Sequence, residues 1–470
     1  MSPLKPIPFS RPRRTVLQAG TVGMLGLPTL FQCGGASSLI AQERPSGTTS
    51  DAGGPGFGQA KRCLFLFMWG GPSHLDTFDM KPEMPAGIRG EFQPIPTAVP
   101  GLQICEHFER LAPIMDRVAV VRSLTHDDPA HLSSAHTTLT GQLPPVNKSD
   151  AEPPSERDTP HLGSVIARLR PAPHNLPGAV SMPWLAYHPA APGGRAPGQS
   201  GGWLGRGADP FLIEGDPNAA GWSVPALKLL DNLDQQRLRS RQHLLNEIDH
   251  QRRNLDRAAA VVNRASQQQQ AFELLASPEV REAFDLNQES DATRNTYGRH
   301  IHGQCVLLGR RLLEHGVPLV SINWHNDGVN FWDTHGNNFN RLKNDLIPPA
   351  DQALTALLLD LESRGLLDTT LIVWVGEFGR RPVITENNAG REHHPFCYSG
   401  LLAGGGIRGG AIYGRSDRDG TYPLDNPTSP HDIAATVLHA LGVPPSASLA
   451  DSAGRPHRLY GGSPLTSLFG

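Results

Sequence analysis

Cysteine is scarce in this chain and is not arranged for chemistry: 470 residues hold five cysteines, with no Cys-x-x-Cys pair, so neither a thiolate-bound metal nor a dithiol redox motif is expected. Apart from Cys33, the four that remain (Cys63, Cys105, Cys305 and Cys397) allow three disulfide pairings. Cys63 and Cys305 lie inside apolar segments and read as free, buried small hydrophobes. Long apolar runs are missing as well. Val16–Leu30 falls short of the roughly 20 residues a membrane span needs, and no later run is long enough, so the mature chain is expected to lack a span. An excess of charge of one sign is also absent. The chain carries 42 Lys and Arg against 45 Asp and Glu, a formal net charge of -3. These charges are scattered, which leaves no electrostatic footprint for nucleic acid.

What is abundant is glycine (50) and proline (43), clustered between apolar runs. That pattern describes long loops on a scaffold, and loops are where sites are commonly built. With 38% hydrophobic and 19% charged residues, the chain has enough apolar material for a real core.

The N-terminus reads as an export signal over residues 1–41. Arg11, Arg13 and Arg14 precede the mildly apolar run Val16–Leu30 and a small-residue stretch from Cys33 to Ala41, the order expected of a cleaved leader. Arg13-Arg14 followed by Thr15-Val16-Leu17 resembles a twin-arginine signal, which carries folded proteins to a periplasmic or extracellular destination. Leu30-Phe31-Gln32-Cys33 faintly resembles a lipoprotein box, but Gln32 stands where a small residue is required, which argues against an anchor at Cys33. Residues 42–60, rich in Gly, Ser, Thr and Pro, read as a flexible linker.

From Lys61 to the C-terminus the pattern is α/β. Cys63–Trp69, Val118–Val121, Leu319–Asn323 and Thr370–Val375 are short continuous apolar runs, as expected of strands buried on both faces of a mostly parallel sheet. An amphipathic stretch from His107 to Met115 is expected to be a helix leading into the second run. Helical periodicity over Tyr297–His315 and Ala350–Arg364 stops at Gly316 and Gly365, each followed by a strand. Repeated helix-glycine-strand units predict a doubly wound sheet with helical layers, its four strands parallel. Residues 225–296 read as a helical insertion, with Ser277-Pro278-Glu279 starting one of its helices.

In such sheets ligands bind beyond the carboxyl ends of the strands. The four loops after these runs carry His74, Asp76 and Asp79; His126, His131 and His136; His325, Asp327, Asp333 and His335; and Glu377, His393 and His394. Imidazole with carboxylate, and no thiolate, is the donor set of Zn, Mn or Fe, whereas Mg or Ca favours oxygen alone. The competing reading is hydrogen-bonded scaffolding; Asp432 in Ser429-Pro430-His431-Asp432 is assigned to helix capping.

Several motifs carry a resemblance. Gly70-Gly71-Pro72-Ser73-His74-Leu75-Asp76-Thr77-Phe78-Asp79, Arg89-Gly90-Glu91-Phe92, Trp332-Asp333-Thr334-His335-Gly336, Glu377-Phe378-Gly379-Arg380 and Gly390-Arg391-Glu392-His393 resemble the exported proteins called domain of unknown function 1501. That family is grouped with the alkaline phosphatase and sulfatase superfamily, and the resemblance implies a doubly wound sheet with metals at the strand ends. It implies that Asp333, His335 and His393 hold one metal. Asp76 or Asp79 would serve a second with Glu377, but Phe378 stands where that site's histidine belongs, so the second site is weakened, altered or absent. Ser134–Gly141 resembles the helix after the superfamily nucleophile, and the spacing puts His131 at the nucleophile position. No Cys-x-Pro-x-Arg follows, which excludes formylglycine sulfatase chemistry. A phosphohistidine, a metal-activated water, or Ser133 or Ser134 acting nearby stay open.

The resulting expectation is an exported metal-dependent hydrolase of a phosphate or sulfate ester or related anionic group, with an anionic small molecule or glycan as substrate. One or two divalent ions, Zn or Mn ahead of Mg or Ca, would be held among His74, Asp76, Asp79, Asp333, His335, Glu377 and His393. His131, His136 or Ser134 would be nucleophile or base, and Arg122, Arg380 or Arg391 would bind the anion through paired donors. The alternative is a catalytically silent binding protein that recognises carbohydrate or a cell-envelope partner. The export reading is tested by changing Arg13 and Arg14 together to Lys. The precursor is expected to stay in the cytoplasm, and normal export of that variant would rule out the twin-arginine route.

Overall fold

Burial on both faces is what the four apolar runs have in common, and the sheet they build explains it. The structure, a computed structural model, describes residues 53–188, 194–224, 277–324 and 331–470, together with Leu227, Ser240 and Leu274. The export signal, Cys33, most of the linker, the larger part of the helical insertion, and His325 and Asp327 lie outside the described residues. No helix among the described residues is long and apolar enough to cross a membrane.

The main sheet has eight strands: β1 (Arg62–Phe67), β2 (Val118–Leu124), β3 (Ala179–Met182), β4 (Phe211–Leu212), β5 (Leu319–Asn323), β6 (Thr370–Val375), β7 (Tyr398–Ala403) and β8 (Ile412–Tyr413), in the spatial order β8-β2-β7-β6-β1-β5-β3-β4. β1 is central, pairing in parallel with β5 through Cys63↔Leu319 and with β6 through Cys63↔Leu371. β7 runs antiparallel to both β6 and β2, so β2 points the same way as β1 although a reversed strand lies in the path between them. The four expected strands are therefore parallel, in one sheet, with their carboxyl ends on one side.

Alternation along β1 divides the core into two layers. Leu64, Leu66 and Met68 face the helices Ile301–Glu314 (α3) and Ile347–Ser363 (α4), while Cys63, Phe65, Phe67 and Trp69 face His131–Thr140 (α1), Leu162–Leu169 (α2) and Pro430–Ala440 (α5). Strands buried on both sides favour apolar residues throughout, as β1 shows; β5 departs from this at Ser321 and Asn323, both buried, where Asn323 Nδ2 donates to Trp184 O at 2.8 Å and Gln199 Oε1 at 3.1 Å. Gly316 and Gly365, with φ of 104° and 66°, end α3 and α4 in the left-handed conformation that glycine adopts without steric cost. The stretch from His107 to Met115 departs from expectation. Its helical part is a short 3-10 segment, Ala112–Arg117, with Pro113 near its start, and Glu109, Arg110 and Leu111 are spent on a turn whose Arg110 and Leu111 N–H groups donate to Asp351.

Cys63, Cys105, Cys305 and Cys397 are all free thiols and all buried. Ser277 caps Pro278–Phe284 by accepting from Val280 N. Ser429 and Asp432 form a reciprocal capping box on α5: Ser429 Oγ accepts from Asp432 N, and Asp432 Oδ2 accepts from Ser429 N at 2.8 Å. The arrangement satisfies two of the orphan donors at a helix start. Ser429→Ala is expected to lower the unfolding free energy by about 1 kcal/mol, read as a lower urea midpoint with unchanged m-value. No shift in midpoint would show that water replaces the cap.

Candidate metal centre

Beyond the carboxyl end of β1 the chain turns at Gly70, whose φ is 105°. A Cβ on Gly70 would come within 2.2 Å of Asp333 N and 2.7 Å of Trp332 C, so only glycine lets the segment carrying Asp333 lie against the strand end. A backbone bond from Trp332 N to Trp69 O of 2.8 Å fixes that approach. Gly390 plays the same part on the other side, since a Cβ there would fall 1.8 Å from His335 O. His393 stands on a two-residue strand paired antiparallel with Gly379-Arg380, and His131 is the first residue of α1.

These loops bring His131, Asp333, His335 and His393 together with one donor atom each, all within 4.8 Å of one another. His335 Nε2 is 3.1 Å, and His393 Nε2 3.4 Å, from Asp333 Oδ1. His131 Nε2 is 3.5 Å from Asp333 Oδ2, and His335 Nε2 lies 2.8 Å from His393 Nε2.

The second nitrogen of each ring shows what those Nε2 atoms are. His131 Nδ1 meets Glu377 Oε1 at 2.6 Å, His393 Nδ1 meets Pro129 O at 2.8 Å, and His335 Nδ1 meets Glu392 Oε2. A carbonyl or carboxylate oxygen can only accept, so each Nδ1 carries the proton. In the neutral rings all three Nε2 atoms are then lone pairs converging on a carboxylate. Such an arrangement is repulsive unless a cation or proton sits among them, and the outer oxygen partners are those that orient metal-binding histidines. His131 Nε2 is buried with no hydrogen-bond partner, its nearest acceptor being the long Asp333 contact.

The donor set fits a divalent ion. Donors about 2.0–2.1 Å from a tetrahedral centre are separated from one another by about 3.3 Å; here His335 and His393 Nε2 stand 3.1 and 3.4 Å from Asp333 Oδ1 and 2.8 Å from each other, and His131 Nε2 is 3.5 Å from the other oxygen, Oδ2. The site runs from a closed floor to an open rim, side-chain exposure rising from 2% at His131 through 15% at Asp333 and 20% at His393 to 41% at His335. Phe378 forms a wall, its ring centroid 4.8 Å from that of His131 and 4.6 Å from that of His393.

Burial would raise the Asp333 carboxyl, but the Arg380 guanidinium, together with the imidazoles whenever Nε2 carries a proton to donate, holds it far below the usual carboxylate range. Arg380 Nη2 donates to Asp333 Oδ1 at 2.5 Å and also to Gly70 O.

The other residues singled out in the sequence are placed elsewhere. Glu377 adjoins the group through His131 and accepts from Gly70 N at 2.9 Å. The expected convergence of His74, Asp76 or Asp79 on the same centre differs from the structure, for none of them belongs to the group. Asp76 is paired with Arg391, Asp79 is engaged by Lys81, Arg122 and Ser416, and His74 Nε2 bonds Gly420 O. The reason is local: all three lie in a buried turn after β1 and find partners at hand. His136 uses Nδ1 on Gln142 O and Nε2 on Thr159 N, and Ser134 Oγ donates to Asp128 O at 2.8 Å, so both are tied into the packing of α1. Arg122 lies 3.4 Å from Gln103 O, while Arg380 and Arg391 are fully buried among backbone carbonyls and their carboxylates. Glu392 carries no signal of its own in the sequence, although it stands beside His393 in Gly390-Arg391-Glu392-His393. Neither does Pro129 O or His188, whose ring is 5.4 Å from His131.

Burial would lower the His131 imidazole, but the Asp333 and Glu377 carboxylates overcome it and hold the group up at about 9. At that value His131 carries a proton on Nε2, between the ring and Asp333, in metal-free protein near neutral pH. A group raised on folding stabilises fully below its unfolded value, here 6.5, and that contribution is lost as pH rises through the folded value. Metal-free protein is expected to lose on the order of a few kcal/mol between about pH 6.5 and pH 9, followed by urea midpoints. His131→Gln should flatten the profile, and a flat profile in the parent would sink the assignment.

The family model described as "Protein of unknown function (DUF1501)" matches residues 60–469. No curated protein matches the sequence. Among solved structures, Ps i-CgsB in complex with a neocarrahexaose aligns at 11% identity and a TM-score of 0.39, covering 83% of this chain and 72% of that one. The lipoteichoic acid synthase LtaP from Listeria monocytogenes aligns at 10% identity and a TM-score of 0.36, covering 83% and 74%. A TAB5 alkaline phosphatase mutant with Mg bound aligns at 10% identity and a TM-score of 0.32, covering 82% and 99%. With its motifs in place and the family model matched from Ala60 almost to the last residue, the chain belongs to the DUF1501 family.

Proposed function

We propose that the cluster holds a divalent ion and that the chain is an exported metal-dependent hydrolase of a phosphate or sulfate ester, or a related anionic group. One observation carries the reading: three imidazoles, each fixed with Nδ1–H on an oxygen, aim Nε2 at one carboxylate. Three nitrogens and one oxygen suit Zn or Mn better than Mg or Ca, which favour oxygen donors throughout. Such an ion supplies Lewis-acid polarisation of an ester oxygen, worth several kcal/mol of barrier. The chain's own groups supply the rest. Glu377 holds the Nδ1 proton of His131 and so keeps Nε2 turned to the centre, Phe378 closes the inner wall against water, and the exposed His335 and Glu392 leave the rim open to an anionic small molecule or glycan.

A second reading is a catalytically silent binding protein that recognises carbohydrate or an envelope partner. What favours it is the state of Arg122, Arg380 and Arg391, all three engaged by protein oxygens. Arg380 and Arg391, both fully buried, offer no free pair of donors to an anion, and Arg122 keeps only the 3.4 Å bond to Gln103 O and the 3.6 Å pairing with Asp79; paired donors are the usual clamp for phosphate or sulfate.

His335→Ala separates the possibilities because a rim ligand contributes little to the core. Elemental analysis is expected to find metal in the parent and almost none in the variant, with unchanged far-UV circular dichroism. Hydrolysis of p-nitrophenyl phosphate, bis-p-nitrophenyl phosphate or p-nitrophenyl sulfate should fall at least about 100-fold. Metal-loaded parent that turns over none of them would favour the binding reading.

A further inference from the structure

We infer that the centre is mononuclear, with the Arg380 guanidinium serving as the permanent second cation beside Asp333; this rests on the metal reading above. Among the described residues, the carboxylates around the cluster already have partners. Both oxygens of Asp76 are taken: Oδ2 accepts from Arg391 Nε at 2.7 Å and Asn338 Nδ2 at 3.0 Å, and Oδ1 accepts from Arg391 Nη2 at 3.0 Å. Glu377 accepts from Gly70 N with both oxygens, at 2.9 and 3.1 Å, and holds His131 Nδ1 with one of them. Asp79 is engaged by Lys81 at 3.2 Å, Arg122 at 3.6 Å and Ser416. Glu392 is turned to His335 Nδ1.

Asp333 is the one carboxylate in the group, and its Oδ1 is already shared with Arg380. Arg380 cannot be released to make room. It is 0% exposed, and its donors go to Gly71 O, Arg391 O, Gly70 O and Asp333. A guanidinium does not deprotonate in proteins, so its charge persists next to the carboxylate that a second ion would share. Recruiting Asp76 as a ligand would leave Arg391, also 0% exposed, as an unpaired buried charge, which is strongly unfavourable. Among the described residues, the carboxylates near the proposed ion are therefore committed to protein cations or to orienting histidines.

The count of bound ions tests this without reference to activity. Parent protein stripped with chelator, saturated with zinc or manganese and freed of loose ion by gel filtration is expected to retain one ion per chain. Asp76→Asn should leave the count at one. Glu377→Gln should also leave it at one, while weakening affinity about 10- to 100-fold, as loss of an orienting partner does. Two ions in the parent, falling to one in Asp76→Asn, would overturn the mononuclear inference and leave the metal reading standing. No retained ion in the folded parent would overturn both. The count in the parent decides between these outcomes even if Asp76→Asn fails to fold.

Discussion

Asp333 places a carboxylate among three imidazoles at the ends of the central strands, and much of the local structure answers to that burial. A carboxylate taken out of water is costly unless it is paired and hydrogen-bonded. Arg380 provides the pairing and also donates to Gly70 O and Gly71 O, so the same guanidinium that neutralises Asp333 pins the turn after β1. Gly70 in turn must lack a side chain for Asp333 to lie where it does. The charge, the turn and the close backbone approach are thus one device, and a change to any member would be felt by the others.

The ion proposed for the centre of the cluster, unlike the Arg380 guanidinium beside it, is not part of the chain. With Nδ1 of each ring committed to an oxygen, the Nε2 atoms have nothing to donate in the neutral form, and their mutual distances leave them repulsive. A proton on His131 would relieve this in part, and the proposed metal ion would relieve it for all three rings. Metal affinity and protonation are therefore two sides of one equilibrium at this position. Phe378 fits the same picture, since an apolar ring against His131 and His393 holds both imidazoles in orientation and adds no donor of its own.

Much of the scaffold was legible in the sequence because burial on both faces leaves an unambiguous mark. The runs Cys63–Trp69, Val118–Val121 and Thr370–Val375 are almost wholly apolar, Leu319–Asn323 is apolar apart from the buried Ser321 and Asn323, and each became a parallel strand of one sheet. Two helix ends were marked by Gly316 and Gly365. The segment before β2 was misjudged, because an apolar pattern over nine residues does not distinguish a 3-10 turn tied down by Asp351 from an α-helix.

For the site, sequence determined which residue types stand after which strands, and the motifs around Asp333, His335 and His393 named three members of the group. Tertiary structure alone decided the rest. His131 joins them through a helix start on a different strand's loop. Glu377 and Glu392 act on the far side of two rings. Asp76 and Asp79, chemically as able as Asp333, are drawn off by Arg391, Lys81 and Arg122. Sequence records which groups can ligate or pair; it does not record distances across loops separated by up to some 315 residues. A carboxylate's role is set by whichever cation lies nearest in space, and only the packed chain fixes that.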